Sequence, residues 1–189
     1  MVAKESKLIV DERYKEQFHL FYCRVQSKAQ ELAKLFNETV ANTPVLGPRP
    51  PSITFLDCSI YEYTNAAGVR CGVLVENFLR GRFTKFNFNN GVAHTVDPGG
   101  ASDFVQAFSH WVYETTKQKM IVCGLQGVFD CHDCLEPIFR LTDPAIYSRS
   151  RHGRSVYGRK DLGRNGIRSF CMSHCCNRVC SALKLPSLK

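Results

Sequence analysis

A dense group of metal-binding residue types lies near the carboxyl end of the chain. The segment 174–180 reads His-Cys-Cys-Asn-Arg-Val-Cys, which places three thiols and one imidazole close together. If this segment is helical, Cys176 and Cys180 share one face and His174 lies one short turn before them. Thiolates and imidazoles are the ligands of tetrahedral zinc sites. The spacing therefore predicts a zinc site in which this segment supplies three of the four ligands.

The sequence alone leaves the fourth zinc ligand open. The candidates are His110 on a predicted helix, Cys175 within the segment itself, and the pair formed by Cys131 and Cys134. A single Cys-x-x-Cys pair is a weak signal, because such pairs also occur in loops by chance. Packed thiols are the alternative interpretation, since free cysteine is among the most buried residue types. The spacing favours zinc over packed thiols.

The composition is that of a folded domain, and it excludes several classes of protein. The chain has 189 residues, of which 44% are hydrophobic and 22% charged, so it can form one domain or a small two-lobed unit. No apolar run approaches the roughly 20 residues of a membrane helix. The amino-terminal residues lack the apolar centre of a secretory signal. We therefore expect an intracellular, cytoplasmic protein whose ten cysteines are reduced.

The positive charge of the chain is confined to its carboxyl end. The net charge is +8, but residues 140–189 hold 11 Lys and Arg against two acidic residues, while residues 1–139 are nearly neutral. Such a basic segment favours an anionic partner, and a zinc protein that binds nucleic acid is one hypothesis. Much of the charge lies around the Gly-rich segment 158–163, where it would also attract a triphosphate or an acidic peptide.

Hydrophobic periodicity predicts the helices and strands that must position these residues. In chain order they are a long amphipathic helix over 12–38, an antiparallel meander of three strands over 52–63, 70–78 and 81–88, a second helix over 102–116 capped by Ser102 and Asp103, a buried strand over 120–128, a long exposed loop over 143–166, and one or two short helices over 166–185. Proline and glycine residues mark the ends of these segments. His110 then lies on the second helix.

Seven segments along the chain form a longer-range pattern. They are Val-Ala-Lys at 2–4 with the helix that follows, 75–78 with 81–91, 106–114, Leu-Gln-Gly-Val at 125–128, Leu-Thr-Asp-Pro at 141–144, 158–163 and 174–180. In this order they resemble the atypical alpha-kinases, the family that includes the myosin heavy-chain kinases and the channel-kinases. One such segment would be a weak signal, whereas seven in the family's order are specific.

The resemblance implies an α+β, two-lobed protein-kinase-like fold, with a partial amino-terminal lobe over 1–91 and a zinc-stabilised carboxyl-terminal lobe over 92–189. It implies an ATP-dependent serine/threonine protein kinase whose partners are ATP and a protein substrate, rather than a membrane or nucleic acid. The family's zinc ligands correspond to His110, His174, Cys176 and Cys180. The remaining candidates, Cys131, Cys134 and Cys175, would then be spare thiols.

The resemblance also assigns residues to a nucleotide site. Lys4 matches the strand lysine that pairs with the phosphates. Glu76 matches the hinge position beside adenine, where backbone groups as much as the carboxylate could make the contact. Gly158 and Gly163 begin and end the family's Gly-rich loop, in which Lys160 stands where a small residue is usual. A solvated surface loop is the alternative interpretation of that segment.

Gln126 and Asp143 match two family residues that hold Mg²⁺, and oxygen ligands are what this hard cation requires. We expect both to act in catalysis. Gly124, however, occupies the position of a family aspartate that serves as catalytic base or metal ligand. The loss of such a group commonly costs orders of magnitude in rate. A catalytically impaired pseudokinase, or a zinc-stabilised interaction module, is therefore the alternative to an active kinase.

A further expectation concerns the amino terminus. In the family, strands that cover the triphosphate precede the strand lysine, whereas three residues precede Lys4 here. The small sheet would therefore keep an open edge. We expect a truncated amino-terminal lobe, as in a fragment, an incomplete gene prediction or a decayed kinase.

Overall fold

The fold is organised by a 30-residue helix that contacts strands of three different sheets. The computed structural model describes residues 1–4, 12–89, 92, 100–131, 136–149 and 156–188, with the backbone alone over 12–17. Its helices are α1 (Glu12–Ala41), α2 (Ser102–Thr115), α3 (Gly163–Ser173) and α4 (Arg178–Ala182). Its strands are β1 (Val2–Lys4), β2 (Ser52–Phe55), β3 (Cys58–Thr64), β4 (Arg70–Glu76), β5 (Phe83–Lys85), β6 (Met120–Cys123), β7 (Gln126–Asp130), β8 (Ile138–Thr142) and β9 (Ala145–Ser148).

The strands form three sheets. β1, β4 and β3 make an antiparallel sheet in that order. The second sheet has the order β2-β8-β7-β5, in which β2 runs parallel to β8 and the other pairs are antiparallel. β6 and β9 form a separate antiparallel pair. Because α1 packs on β2 as well as on β3 and β4, it joins the first two sheets.

Edge-on aromatic contacts form the centre of the core between α1 and α2. The Phe36 ring of α1 lies 5.3 Å from the Phe108 ring and 5.6 Å from the Trp111 ring, measured between centroids. Phe55 of β2 lies 6.2 Å from Phe108. All four side chains are buried, as the helical and alternating periodicities predict. This packing fixes α2, and with it His110, against the rest of the core.

The predicted antiparallel meander is wrong. The segment 52–63 divides into β2 and β3, which belong to different sheets, and β5 within 81–88 pairs with β7. Only β3 and β4 keep the expected antiparallel pairing within the described part of the chain. Alternating apolar residues specify which face of a strand is buried, but they do not specify its partner. Here Ile53 and Phe55 are buried in the core while β2 pairs with β8.

The predicted strand over 120–128 and the predicted loop over 143–166 also differ from the structure. Gly124, with φ of 66°, interrupts the strand, so that β6 pairs with β9 and β7 joins the four-stranded sheet. The loop contains β9 and the first turn of α3. The break at Gly124 makes β6 a separate strand, and β9, which lies within the predicted loop, pairs with it. The two differences from the prediction are therefore connected.

The predicted cap of α2 is wrong as well. Ala101 is the N-cap residue, no side chain caps the helix there, and Ser102 and Asp103 are already helical. The beginning of α2 is instead tied to α4, because the side chain of Asn177 donates to the Asp103 carbonyl at 3.0 Å. A tertiary contact therefore positions this end of α2.

The division into lobes at residue 91 stays a prediction. The four-stranded sheet draws β2 and β5 from before that residue and β7 and β8 from after it. Within the ranges that the structure describes, no helix is both long enough and apolar enough to cross a membrane. The mixture of helices with antiparallel and mixed sheets agrees with the predicted α+β class.

Candidate functional site

An ion pair between neighbouring strands is the centre of the first cluster. Val2 of β1 lies opposite Glu76 of β4, so Lys4 projects to the same face of the sheet as Glu76. There the Lys4 ammonium contacts the Glu76 carboxylate. The Glu76 side chain is 2% exposed and that of Lys4 is 33% exposed. The buried carboxylate therefore holds the Lys4 ammonium at the ends of β1 and β4.

Three further side chains satisfy the buried Glu76 carboxylate. Hydroxyl groups donate to it from Thr142 at 2.8 Å and from Tyr22 at 2.9 Å, and the Gln26 amide donates at 2.7 Å. Burial, followed by the charge of Asp143, raises the pKa of Tyr22 well above its usual value, so its hydroxyl remains a donor. A buried carboxylate with a cation and three donors avoids the cost of an unpaired charge.

Asp143 lies beside this network with both carboxylate oxygens engaged. Lys160 pairs with Oδ1, and the Gln126 amide nitrogen donates to Oδ2 at 3.3 Å. The backbone of Asp143 has φ of 53°, and its N–H donates to Gln26 Oε1 at 3.0 Å. Such a conformation is uncommon for a residue other than glycine and is held here by that hydrogen bond. The carboxylate is therefore fixed toward Lys160 and Gln126.

Asp161 holds the Gly-rich segment 158–163 against β9. Its carboxylate accepts from the Ser148 N–H at 2.9 Å, from the Ser148 hydroxyl at 2.8 Å and from the Gly163 N–H at 2.9 Å. Gly158 and Gly163 have φ of 78° and 56°, which glycine adopts at little cost. These hydrogen bonds place Lys160 beside Asp143, across the cleft that the segment forms with α1.

A neighbouring side chain fills the position at which the family carries an aspartate. A Cβ placed on Gly124 would overlap Oδ1 of Asn89. The group that occupies this position is therefore a neutral amide. Sequence reasoning missed Asn89, because the asparagines after residue 86 are also typical of turns and a contact between distant residues leaves no local signal.

Sequence reasoning also missed three polar residues of the ion-pair network. Tyr22 and Gln26 lie four residues apart on α1, on the face that periodicity marks as buried, and Thr142 directly precedes Asp143. A glutamine at a buried helical position is a signal that could have found this site, since buried polar groups need partners. The partner, Glu76, could not be named from sequence.

The second cluster joins α2 to the last two helices. His110 lies on α2, His174 directly follows α3, and Cys176 and Cys180 lie before and within α4. The ligand atoms of all four lie within 4.8 Å of one another. Cys176 Sγ is 3.9 Å from His110 Nδ1, and Cys180 Sγ is 3.5 Å from His174 Nε2. Sulfur and nitrogen ligands of tetrahedral zinc are about 3.6 Å apart, so the donor set and its spacing fit zinc.

The segment 174–180 is not one helix, and the prediction that Cys176 and Cys180 share a helical face is wrong. Asn177 caps α4, because its side chain accepts from two backbone N–H groups of that helix at 2.9 and 3.0 Å. Cys176 therefore precedes the helix that contains Cys180. The four candidate ligands nevertheless converge, since the same asparagine ties α4 to the backbone of Asp103 on α2.

Burial sets the protonation of this cluster. It lowers the pKa of His110, an effect that the nearby backbone of Pro186 partly offsets, so the imidazole is neutral near pH 7. It raises the pKa of the Cys180 thiol to about 11. A bound metal ion reverses the second effect, because ligation deprotonates a coordinating thiol. The neutral imidazole is already the form that binds metal.

The other candidate ligands lie apart from the cluster. Cys131 and Cys175 are exposed, and neither joins the four residues whose ligand atoms converge. Cys134 lies outside the described residues. Among the candidates that the structure describes, His110 is the one that completes the group begun by 174–180.

Comparison with known proteins gives a family match over most of the chain. A model of the alpha-kinase family matches residues 1–180. The chain is 34% identical over 182 residues to transient receptor potential cation channel subfamily M member 7 of Homo sapiens, covering 93% of this chain and 9% of that protein. It is 31% identical over 197 residues to myosin heavy chain kinase D of Dictyostelium discoideum, covering 99% of this chain and 18% of that protein. The chain thus spans less than one fifth of either relative.

Solved structures of a kinase domain share this fold. The alpha-kinase domain of myosin-II heavy chain kinase A in complex with AMP-PNP superposes with a TM-score of 0.75 at 27% identity, over 98% of this chain and 63% of that chain. Its complex with adenosine gives a TM-score of 0.74 at 27% identity, over 99% and 63%. These superpositions confirm the α+β kinase fold predicted from the sequence.

Proposed function

This chain belongs to the alpha-kinase family, and we propose that it binds ATP beside Lys4 without appreciable phosphoryl transfer. The proposal rests on one observation: the chain keeps a partly buried lysine–glutamate pair but has Gly124 and Asn89 where a carboxylate is needed. Nucleotide binding needs cations and a shaped pocket, whereas transfer also needs groups that organise the substrate hydroxyl. This chain keeps the cations and the shaped pocket that binding needs, but it lacks one of the groups that organise the substrate hydroxyl for transfer.

ATP as the ligand is supported by the structural neighbours, which include complexes with adenosine, ADP and AMP-PNP. In this chain Lys4 would face the phosphates, and Gly158 and Gly163 would shape the loop over them. The resemblance allows either the backbone or the carboxylate of Glu76 to contact adenine, and the carboxylate is directed to Lys4 and its partners. We therefore assign the adenine contact to the backbone at the end of β4.

The role of Lys4 can be tested by replacing it with methionine together with a Glu76→Gln substitution. The second change avoids leaving a buried, unpaired carboxylate, which would itself destabilise the fold. We expect the affinity for ATP, measured by calorimetry, to fall at least about tenfold. Thermal melting shows whether the variant is folded, and Lys34→Met removes the same charge from an exposed position on α1 as a control. Unchanged affinity in a folded double variant would remove Lys4 from the site.

We assign a structural zinc ion to His110, His174, Cys176 and Cys180. Four protein ligands fill a tetrahedral shell, so such an ion has no open position for a substrate. Its contribution would be to connect α2 with the segment that joins α3 to α4. The ion would thereby support the core against which the cleft is built, and it would take no part in chemistry.

The magnesium site expected at Gln126 and Asp143 does not fit these residues as they stand. Lys160 and the Gln126 amide nitrogen engage the two oxygens of Asp143, and Gly124 supplies no second carboxylate. Magnesium is held in proteins mainly by one or two carboxylates together with phosphates. We therefore assign it no part in nucleotide binding by this chain.

An active serine/threonine protein kinase is the second candidate, and the family match over residues 1–180 favours it.

Binding without transfer has a precedent among the solved neighbours. One of them is an inactive variant, with an aspartate replaced by alanine, in complex with ATP. A phosphoryl-transfer assay separates the two candidates. Labelled protein substrate would support the active kinase, and bound, untransferred ATP would support our proposal.

A further inference from the structure

Lys160 makes the contact that most distinguishes this cleft from the one the resemblance implies. Its ammonium pairs with Oδ1 of Asp143, and the two side chains are 38% and 29% exposed. The pair is therefore partly shielded from water, where opposite charges attract more strongly than on an open surface. The carboxylate that would otherwise be available to a divalent cation already has a cation of its own.

Both partners of this pair are anchored by hydrogen bonds. The backbone of Asp143 is held by Gln26 at 3.0 Å. The loop that carries Lys160 is held by Asp161, whose carboxylate accepts from the N–H and the hydroxyl of Ser148 at 2.9 and 2.8 Å. Ser148 ends the strand that begins two residues after Asp143, so the loop and the carboxylate are fixed to the same piece of backbone. The contact is therefore built into the fold.

Two ammonium groups consequently flank one short stretch of backbone. Lys4 donates to the Thr142 hydroxyl at 3.1 Å, and Lys160 pairs with the next residue, Asp143. The three N–H donors of Lys4 contact Tyr22, Glu76 and Thr142, so Lys4 contributes its positive charge. The pairing of Lys160 with one carboxylate oxygen leaves N–H donors for phosphate oxygens. A polyphosphate placed beside this stretch would meet positive charge from both sides, although no divalent ion takes part.

We propose that Lys160 is the resident cation at Asp143 and that this chain binds a nucleoside triphosphate without magnesium. This inference rests on the proposed binding of ATP and adds the source of the countercharge. A divalent ion would have to displace an ammonium that the fold delivers to Asp143, and Gly124 gives it no second carboxylate in return. The Lys160 ammonium therefore supplies, from within this chain, the positive charge that a magnesium ion would otherwise bring with the nucleotide.

The test is a calorimetric titration of the zinc-loaded chain with ATP, with and without millimolar magnesium. Metal-depleted buffer is used in place of a chelator, because a chelator would also remove zinc. For the unmodified chain and for Lys34→Met, we expect affinities that differ by less than about threefold between the two buffers. For Lys160→Met we expect at least about tenfold weaker binding without magnesium, and recovery when magnesium is added, because the freed carboxylate can then hold the ion.

The outcomes separate this inference from the proposed function. If ATP binds the unmodified chain at least about tenfold more tightly with magnesium, the inference is overturned while ATP binding stands. It is also overturned if Lys160→Met binds ATP as the unmodified chain does in both buffers. If ATP binds in neither buffer, the proposed function is overturned, and the inference falls with it. A melting curve for each variant shows that the comparison is made on folded protein.

Discussion

The double variant His174→Ala, Cys180→Ala is expected to give no folded protein. Structural zinc contributes an apparent free energy of about 10–16 kcal/mol in small zinc domains, whereas a whole domain is stable by about 5–15 kcal/mol. Removing two ligands of the assigned site should therefore lower the free energy of unfolding by about as much as the whole domain has. Circular dichroism during heating measures this, and the variant should show no cooperative transition.

Cys175→Ala is the matched control for that variant, because this exposed thiol is next to two of the ligands but outside the cluster. It should melt as the unmodified chain does. Metal analysis of the unmodified chain should give about one zinc per chain, and a chelator should unfold it reversibly, with zinc restoring the fold. A zinc content below about half an equivalent, or a chelated chain that melts normally, would refute a structural zinc site.

Restoring a carboxylate at position 124 is expected to raise phosphoryl transfer by about 10²–10⁴-fold, the usual contribution of a positioned acid or base. A side chain at 124 would overlap Oδ1 of Asn89, so the Asn89 side chain would have to move unless it is shortened as well. The variant is therefore Gly124→Asp combined with Asn89→Ala. Aspartate tolerates the left-handed backbone at 124 better than most residues do. The new carboxylate would also give magnesium a ligand that Lys160 does not occupy.

Transfer is measured with γ-labelled ATP and magnesium on a mixture of basic and acidic proteins. Gly124→Asn with Asn89→Ala is the matched control, since it has the same shape without the negative charge. Gly124→Asp alone should be less active than the double variant, because Asn89 then obstructs the new side chain. The account of the impaired site fails if the double variant transfers no faster than its asparagine counterpart.

The family and the α+β fold could be predicted from the sequence because short motifs keep their order along the chain. The predicted family match over the chain is confirmed. The four candidate zinc ligands are brought together as the resemblance implied, although the helix proposed for 174–180 is interrupted by the cap at Asn177. Their role, like those of Lys4 and Asp143, stays a prediction until it is measured.

The strand pairing and the side-chain partners in the site could not be predicted, because they depend on contacts between residues that are distant in the sequence. Periodicity marked Ile53 and Phe55 as buried, but it could not show that β2 pairs with β8. The motif comparison showed that Gly124 lacks a carboxylate, but it could not show that Asn89 fills the space. In the same way, the loop pattern identified Lys160 as an unusual residue, but its ion pair with Asp143 could be found only from the structure. Local patterns specify faces and residue types, and tertiary packing specifies partners.

The central claim, ATP binding without transfer, is tested most directly by following one sample of γ-labelled ATP. The zinc-loaded, unmodified chain is incubated with stoichiometric ATP, magnesium and protein substrates, after which bound nucleotide and labelled protein are separated and quantified. We expect ATP to be recovered intact with the chain and no label on the substrates. Transfer within about tenfold of the rate of an active alpha-kinase domain assayed alongside would contradict the claim.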